Sequence, residues 1–145
     1  MAINKTFRQL EPSQIVDQMF NNDPFSKWLG IERMEDGAGF SVLRMTVTAE
    51  MLNGFNVAHG GICYSLADSA LAFAANGHGI QSMSIETSIS HTKTVSEGDI
   101  LTATAKELSV TKKTGVYQVD IENQNKEIVA LFRGTVYRTS KVWEV

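Results

Sequence analysis

The spacing of apolar and polar residues changes character twice along this chain. Between Ser13 and Phe20 the apolar residues Ile15, Val16, Met19 and Phe20 recur at helical spacing, with Ser13 placed to cap the first turn. Asp23-Pro24 repeats the signal of a cap followed by proline in a first turn, and Gly30 closes this second short helix, so 13–29 reads as a helical preface. From Ile31 the period shortens: Ile31 to Glu35 and Gly39 to Thr48 predict a hairpin around Asp36-Gly37. Gly60 to about Asn76 predicts the one long helix, and Ala67, Ala70, Ala72, Ala74 and Ala75 make it slim enough to pack closely on a sheet. Strands return as Ser82 to Thr92, Ile100 to Ser109, Gly115 to Glu122 and Ile128 to Thr139, with turns at Glu97-Gly98, Lys112-Lys113-Thr114 and Asn123 to Lys126. Tyr117, Val119 and Ile121 alternate with Gln118, Asp120 and Glu122, as in a half-buried antiparallel strand. One long helix among antiparallel strands predicts an α+β fold. The 145 residues suffice for one domain, 1–145, with its own core and no internal repeat or linker.

Composition narrows the partners. A net charge of −3 lacks the basic excess expected for general binding to nucleic acid or an anionic membrane. A single cysteine, Cys63, excludes an internal disulfide and, inside the helix, reads as a small buried hydrophobe. Met1 to Arg8 leads into a polar segment with no apolar signal core, and every apolar stretch falls short of the ~20 residues needed to span a bilayer. The expected location is the cytoplasm. His59, His78 and His91 lack metal-ligand spacing, and no phosphate-binding glycine loop is present, so neither a metal nor a dinucleotide cofactor is expected.

The chemistry concentrates in His59-Gly60-Gly61-Ile62-Cys63-Tyr64-Ser65-Leu66-Ala67-Asp68, led in by Leu52-Asn53-Gly54-Phe55-Asn56. Glycines at a helix start let a ligand approach the unpaired N–H groups, where partial negative charge is favoured. Asp68 places a carboxylate inside an apolar helix, where it is either a solvated or structural residue or a base or nucleophile. The eight-residue separation of Gly60 and Asp68 corresponds to ~12 Å along a helix axis. One reacting carbonyl cannot touch both, so joint action requires two antiparallel copies of the helix, that is, a dimer. Paired glycines and Asn53-Gly54 are also ordinary turn signals, and Ser69 reads as surface polarity.

Four segments together resemble the hotdog-fold acyl-CoA thioesterases, in particular the PaaI-like branch associated with phenylacetate catabolism. They are Met45 to Gly54, His59 to Asp68, Gly98 to Ala105, and Ala130 to Gly134, and the likeness runs from about Leu29 to Arg138. The resemblance implies a curved sheet wrapped around the long helix, and a homodimer or homotetramer whose active site is shared between subunits. It implies that Asp68 is catalytic, that the Gly60 N–H polarises the thioester carbonyl beside Gly61, and that His59 shapes that corner. It further implies that the Asn53 amide holds the attacking water or the base, and that Ser84 stands near the water.

Phe55, Leu71 and Met51 are expected to line the acyl pocket. Lys112 and Lys113, with Lys93 and Arg133 as further options, are expected to meet the phosphates of coenzyme A, although exposed lysines are ordinarily just solvated. Coenzyme A is then part of the substrate and no cofactor is needed. The chain departs from the pattern at Ile89-Ser90-His91-Thr92-Lys93-Thr94-Val95, where relatives carry an aromatic-Leu-Arg-Pro type run. Two other classes fit the same pattern: a hydratase or dehydratase of acyl-CoA, and a non-catalytic acyl-CoA-binding dimer.

Overall fold

The computed structural model describes residues 9–144; the Met1 to Arg8 segment lies outside them. Helix α1 runs Pro12–Asn21 and α2 runs Pro24–Trp28. Proline opens both, since a first-turn residue needs no N–H partner. The cap of α1 is Glu11 rather than Ser13: the Glu11 N–H donates to Gln14 Oε1 at 2.9 Å, and Pro12 sets the first helical φ. The cap of α2 is Asp23, as expected, whose Oδ1 accepts from the Ser26 N–H at 2.9 Å.

The remaining elements are β1 (Glu32–Gly37), β2 (Phe40–Thr46), a short 3-10 turn at Ala49–Met51, α3 (Gly60–Asn76), β3 (Ile80–His91), β4 (Ile100–Val110), β5 (Thr114–Glu122) and β6 (Ile128–Val142). The strands form one six-stranded antiparallel sheet in the order β1-β2-β4-β5-β6-β3, so β1 and β3 are its edges. Helix α3 touches all six strands. Laid flat, the outer strands would stand roughly 24 Å apart, against a helix about 10–12 Å across. The sheet therefore curves around α3, as the α+β reading with a wrapped helix anticipated.

The predicted hairpin is present, but its turn is Ala38-Gly39 and not Asp36-Gly37. Gly37 pairs with Phe40 inside the ladder, while Gly39 takes the left-handed conformation at φ +75° that the turn requires. The tip is pinned against the C-terminal end of α3, where the Gly39 N–H donates to the Ala74 carbonyl at 2.9 Å. A Cβ on Gly77 would lie 2.3 Å from the Gly37 carbonyl oxygen, so the close approach depends on glycine. In the core, Leu66, Ala67, Ala70, Leu71 and Ala74 of α3 meet the inward strand residues Leu43, Leu101, Val119, Ile121 and Phe132, all buried. Gly134 on β6 leaves room for Leu71, whose Cδ2 would stand 2.7 Å from an added Cβ.

Candidate active site

Polar side chains line the seam where α3 runs antiparallel to edge strand β3. Gly60, Tyr64, Asp68, Ala72 and Asn76 recur every four residues and so share one helix face. Opposite them, His91 lies against Gly60, and the Tyr64 hydroxyl is hydrogen-bonded to the Thr87 hydroxyl. Asp68 and Ser84 line one cavity of about 220 Å³. Asn76 donates to the Ser82 carbonyl at 3.0 Å and accepts from its N–H at 2.9 Å, closing the seam at the far end.

At the start of α3, His59 is the N-cap and its Nδ1 accepts from the Gly61 N–H at 2.9 Å. A neutral His59 therefore carries its proton on Nε2. The Gly61 donor is thus engaged, whereas the Gly60 N–H has no acceptor among the described residues. Gly60 opens on a cavity of about 350 Å³ lined also by His59, Cys63, His91 and Lys93. Lys93 is ion-paired with Glu127 at the rim. Burial pushes the Cys63 thiol up to about 11, which removes it as a nucleophile near neutral pH.

Asp68 is half-buried, and no hydrogen bond holds its carboxylate among the described residues. Burial raises its pKa above the ordinary 3.8 by penalising the charged form. It also lines a larger cavity of about 560 Å³, walled by Met19, Phe25, Ala72, Phe73 and Trp143. Ser69, read from the sequence as surface polarity, is half-buried and bonded to Ser26 Oγ at 2.9 Å, which donates on to Asp23 Oδ2 at 2.6 Å. That chain of hydroxyls ties α2 to α3 beside Asp68.

Other expected residues are placed elsewhere. Asn53 Oδ1 accepts from the N–H groups of Phe55 (2.9 Å) and Val57 (3.4 Å), organising the loop before α3. Phe55 stands out from that loop, 88% exposed, and Met51 is packed in the core, whereas Leu71 borders the cavity of about 220 Å³. Lys112 and Lys113 lie in the β4–β5 turn, at the end of the sheet where α3 finishes, away from Gly60. Arg133 lies between the inward Phe132 and Gly134, and so points away from α3. Among the described residues no group of three or more His, Cys, Asp or Glu is placed to hold a metal, and no helix is long and apolar enough to cross a membrane.

Residues 55–130 match the model of the thioesterase superfamily. The chain is 45% identical over 120 residues to the acyl-coenzyme A thioesterase PaaI of Escherichia coli (strain K12), covering 83% of this chain and 86% of that protein. The chain belongs to the thioesterase superfamily. Within it, the likeness is to the PaaI branch, and the architecture is the hotdog fold. The solved structure of the E. coli PaaI protein from the phenylacetic acid degradation operon superposes with a TM-score of 0.88 at 42% identity, over 90% of this chain and 95% of that one. A hypothetical thioesterase solved with coenzyme A from Streptococcus pneumoniae TIGR4 gives a TM-score of 0.81 at 25% identity, over 87% and 98%.

From the sequence, Tyr64, Thr87 and Trp143 carry no separate signal as site residues, Met19 stands only as an apolar helix position, and His91 only among the histidines without metal-ligand spacing and in the Ile89 to Val95 departure. The four-residue spacing of Gly60, Tyr64 and Asp68 was the available signal for Tyr64. Met19 and Trp143 gave none, because they reach the cavity from elements distant in sequence.

Proposed function

We propose that this enzyme hydrolyses acyl-CoA thioesters, with an aryl-acetyl group as the favoured acyl chain, at sites shared across a homodimer that pairs further into a homotetramer. In the overall reaction water adds to the thioester carbonyl and the C–S bond breaks, giving a carboxylate, free coenzyme A thiol and a proton. The observation that carries the reading is the 45% identity to an acyl-coenzyme A thioesterase over 83% of the chain. The Asp68 carboxylate and the Gly60 N–H, both without a partner among the described residues, supply groups of the right chemistry.

In this reading the Gly60 N–H, backed by the helix dipole, takes the developing oxyanion, and Asp68 of the other subunit activates water or attacks the carbonyl directly. His59, already fixed by the Gly61 N–H, holds the corner; Asn53 and Ser84 steady the water. Lys112 and Lys113 meet the coenzyme A phosphates. The reaction needs no resident cofactor or metal, because coenzyme A arrives with the substrate.

Two features favour the shared site. Gly60 and Asp68 open on different cavities of one chain, in keeping with ~12 Å of helix between them. Edge strand β3 exposes Met83 at 67% and Ile85 at 63%, and an open apolar edge of this kind invites pairing with a second copy. Antiparallel pairing there would set the two α3 helices side by side in opposite directions.

The test is a panel of aryl-acetyl, short-chain and long-chain acyl-CoA substrates assayed for free thiol. Thiol release with the aryl-acetyl thioester fastest is the expected result. Consumption of an enoyl-CoA without thiol release, or saturable binding without turnover, would overturn it.

A further inference from the structure

His91 ends strand β3 with its ring against the first residue of α3. A Cβ built on Gly60 would lie 3.1 Å from His91 Nε2 and 3.4 Å from Cε1, so the Nε2 edge of the imidazole faces this position. The His91 imidazole has no hydrogen-bond partner among the described residues, and it lines the same cavity of about 350 Å³ as Gly60. Its surroundings there are His59, whose Nδ1 is engaged, Cys63, whose thiol is buried and protonated, and Lys93, whose charge is paired with Glu127. Among the described residues the Gly60 N–H and the His91 imidazole thus stand unpartnered on one cavity.

Their separation suits a shared acceptor. A Cβ position lies about 2.5 Å from its own backbone nitrogen, which places His91 Nε2 within about 5.6 Å of the Gly60 nitrogen. Two N–H groups that each reach one oxygen at ~2.9 Å can stand as much as ~5.8 Å apart. We propose that His91 Nε2–H is a second donor to the thioester oxygen bound by the Gly60 N–H, and so a catalytic residue of this enzyme. The inference rests on the oxyanion role proposed for Gly60. It gives a chemical meaning to the departure at Ile89 to Val95: where relatives carry an aromatic-Leu-Arg-Pro type run, this chain presents an imidazole. Because the interaction strengthens as charge develops on oxygen, its effect falls on kcat rather than on ground-state binding.

Three measurements test the proposal together. His91→Phe, which keeps a flat ring and removes the donor, is expected to lower kcat at least about tenfold, toward the ~10² cost of losing a positioned oxyanion donor, with KM nearly unchanged. His91→Gln, which restores an N–H, is expected to recover most of that loss. Binding of an S-alkyl coenzyme A thioether, which lacks the carbonyl, is expected to be equal in wild type and His91→Phe. A His91→Phe protein with wild-type kcat, a loss confined to KM or to thioether binding, or no recovery in His91→Gln overturns the role of His91 while leaving thioester hydrolysis standing. A wild-type protein that releases no thiol from any acyl-CoA removes both.

Discussion

The hydroxyls of Tyr64 and Thr87 meet in a hydrogen bond that joins the second turn of α3 to edge strand β3. One turn further along the helix, Asp68 shares a cavity with Ser84. One turn back, Gly60 faces His91. The bond therefore fixes the register between a helix bearing the candidate carboxylate and a strand bearing its polar neighbours. Sliding the helix by a single residue would turn Asp68 about 100° away from the seam.

Asp68→Asn is expected to lower kcat by ~10²–10⁴, the usual cost of removing a positioned base, with circular dichroism unchanged. The acid limb of kcat/KM in the wild type is expected above the ordinary carboxylate value of 3.8, because burial raises the Asp68 pKa. The same shift has a consequence for stability. A folded-state pKa above the unfolded one stabilises the fold fully below the unfolded pKa, and that contribution disappears as pH rises through the folded pKa. At neutral pH the Asn variant should then melt at or above the wild-type temperature, and the difference should shrink or reverse in acid. Unchanged turnover in folded Asp68→Asn would reject the base.

A mixed dimer tests the shared site. With Asp68→Asn in one subunit and Gly60→Val in the other, one composite site keeps both groups, so activity should reach about half that of the wild type. Each parent homodimer should be nearly inactive. Differently tagged subunits, co-expressed and purified as the heterodimer, give the measurement; a heterodimer as inactive as its folded parents would place both groups in one subunit or make Gly60 structural.

The double change Lys112→Ala and Lys113→Ala is expected to raise KM for acyl-CoA more than it lowers kcat, and more so at low salt. These lysines stand at the end of the sheet away from their own Gly60. In the proposed antiparallel dimer that end of the sheet would stand beside the partner's Gly60. Steady-state kinetics at two ionic strengths decide it, and a fixed KM excludes this turn from phosphate binding.

Much of the architecture was legible because it depends on periodicity. Gly60–Asn76 emerged with both ends correct, since a glycine pair and a terminal Asn-Gly bracket an apolar run. The hairpin turn was misplaced by two residues because Gly37 and Gly39 are equally good turn formers locally. Only the ladder with β2, and the contact with Ala74, selects Gly39. The site divided in the same way. Gly60, His59 and Asp68 lie in one contiguous segment and could be read directly, whereas Thr87, His91 and Trp143 join them only through pairing between distant elements. Ser69 was misread because its partner, Ser26, is 43 residues away.

Gly77→Ala is expected to cost about 1–3 kcal/mol, because the new methyl would meet the Gly37 carbonyl, a backbone atom with little freedom to retreat. Gly54→Ala, which meets nothing within 4 Å, should stay within about 0.5 kcal/mol of wild type. Urea denaturation of the two variants makes the comparison. Equal stabilities would show that the hairpin tip yields at no cost.

The larger of the two cavities described beside Asp68 is walled, apart from α3 itself, by residues that precede the sheet, Gln18 to Ser26, and by Trp143, which follows it. Gln18 donates to the Glu144 carbonyl at 2.9 Å, joining the two flanks, and the Trp143 indole donates to Asn76 Oδ1 at 2.9 Å, tying the second flank to the end of α3. In the proposed reaction the bond-breaking groups thus belong to the middle of the chain, and much of the wall around Asp68 belongs to its two flanks. If that space takes the acyl group, substitutions in those flanks would retune which thioesters are accepted without disturbing Asp68 or Gly60. Selectivity and chemistry are free to diverge at different rates.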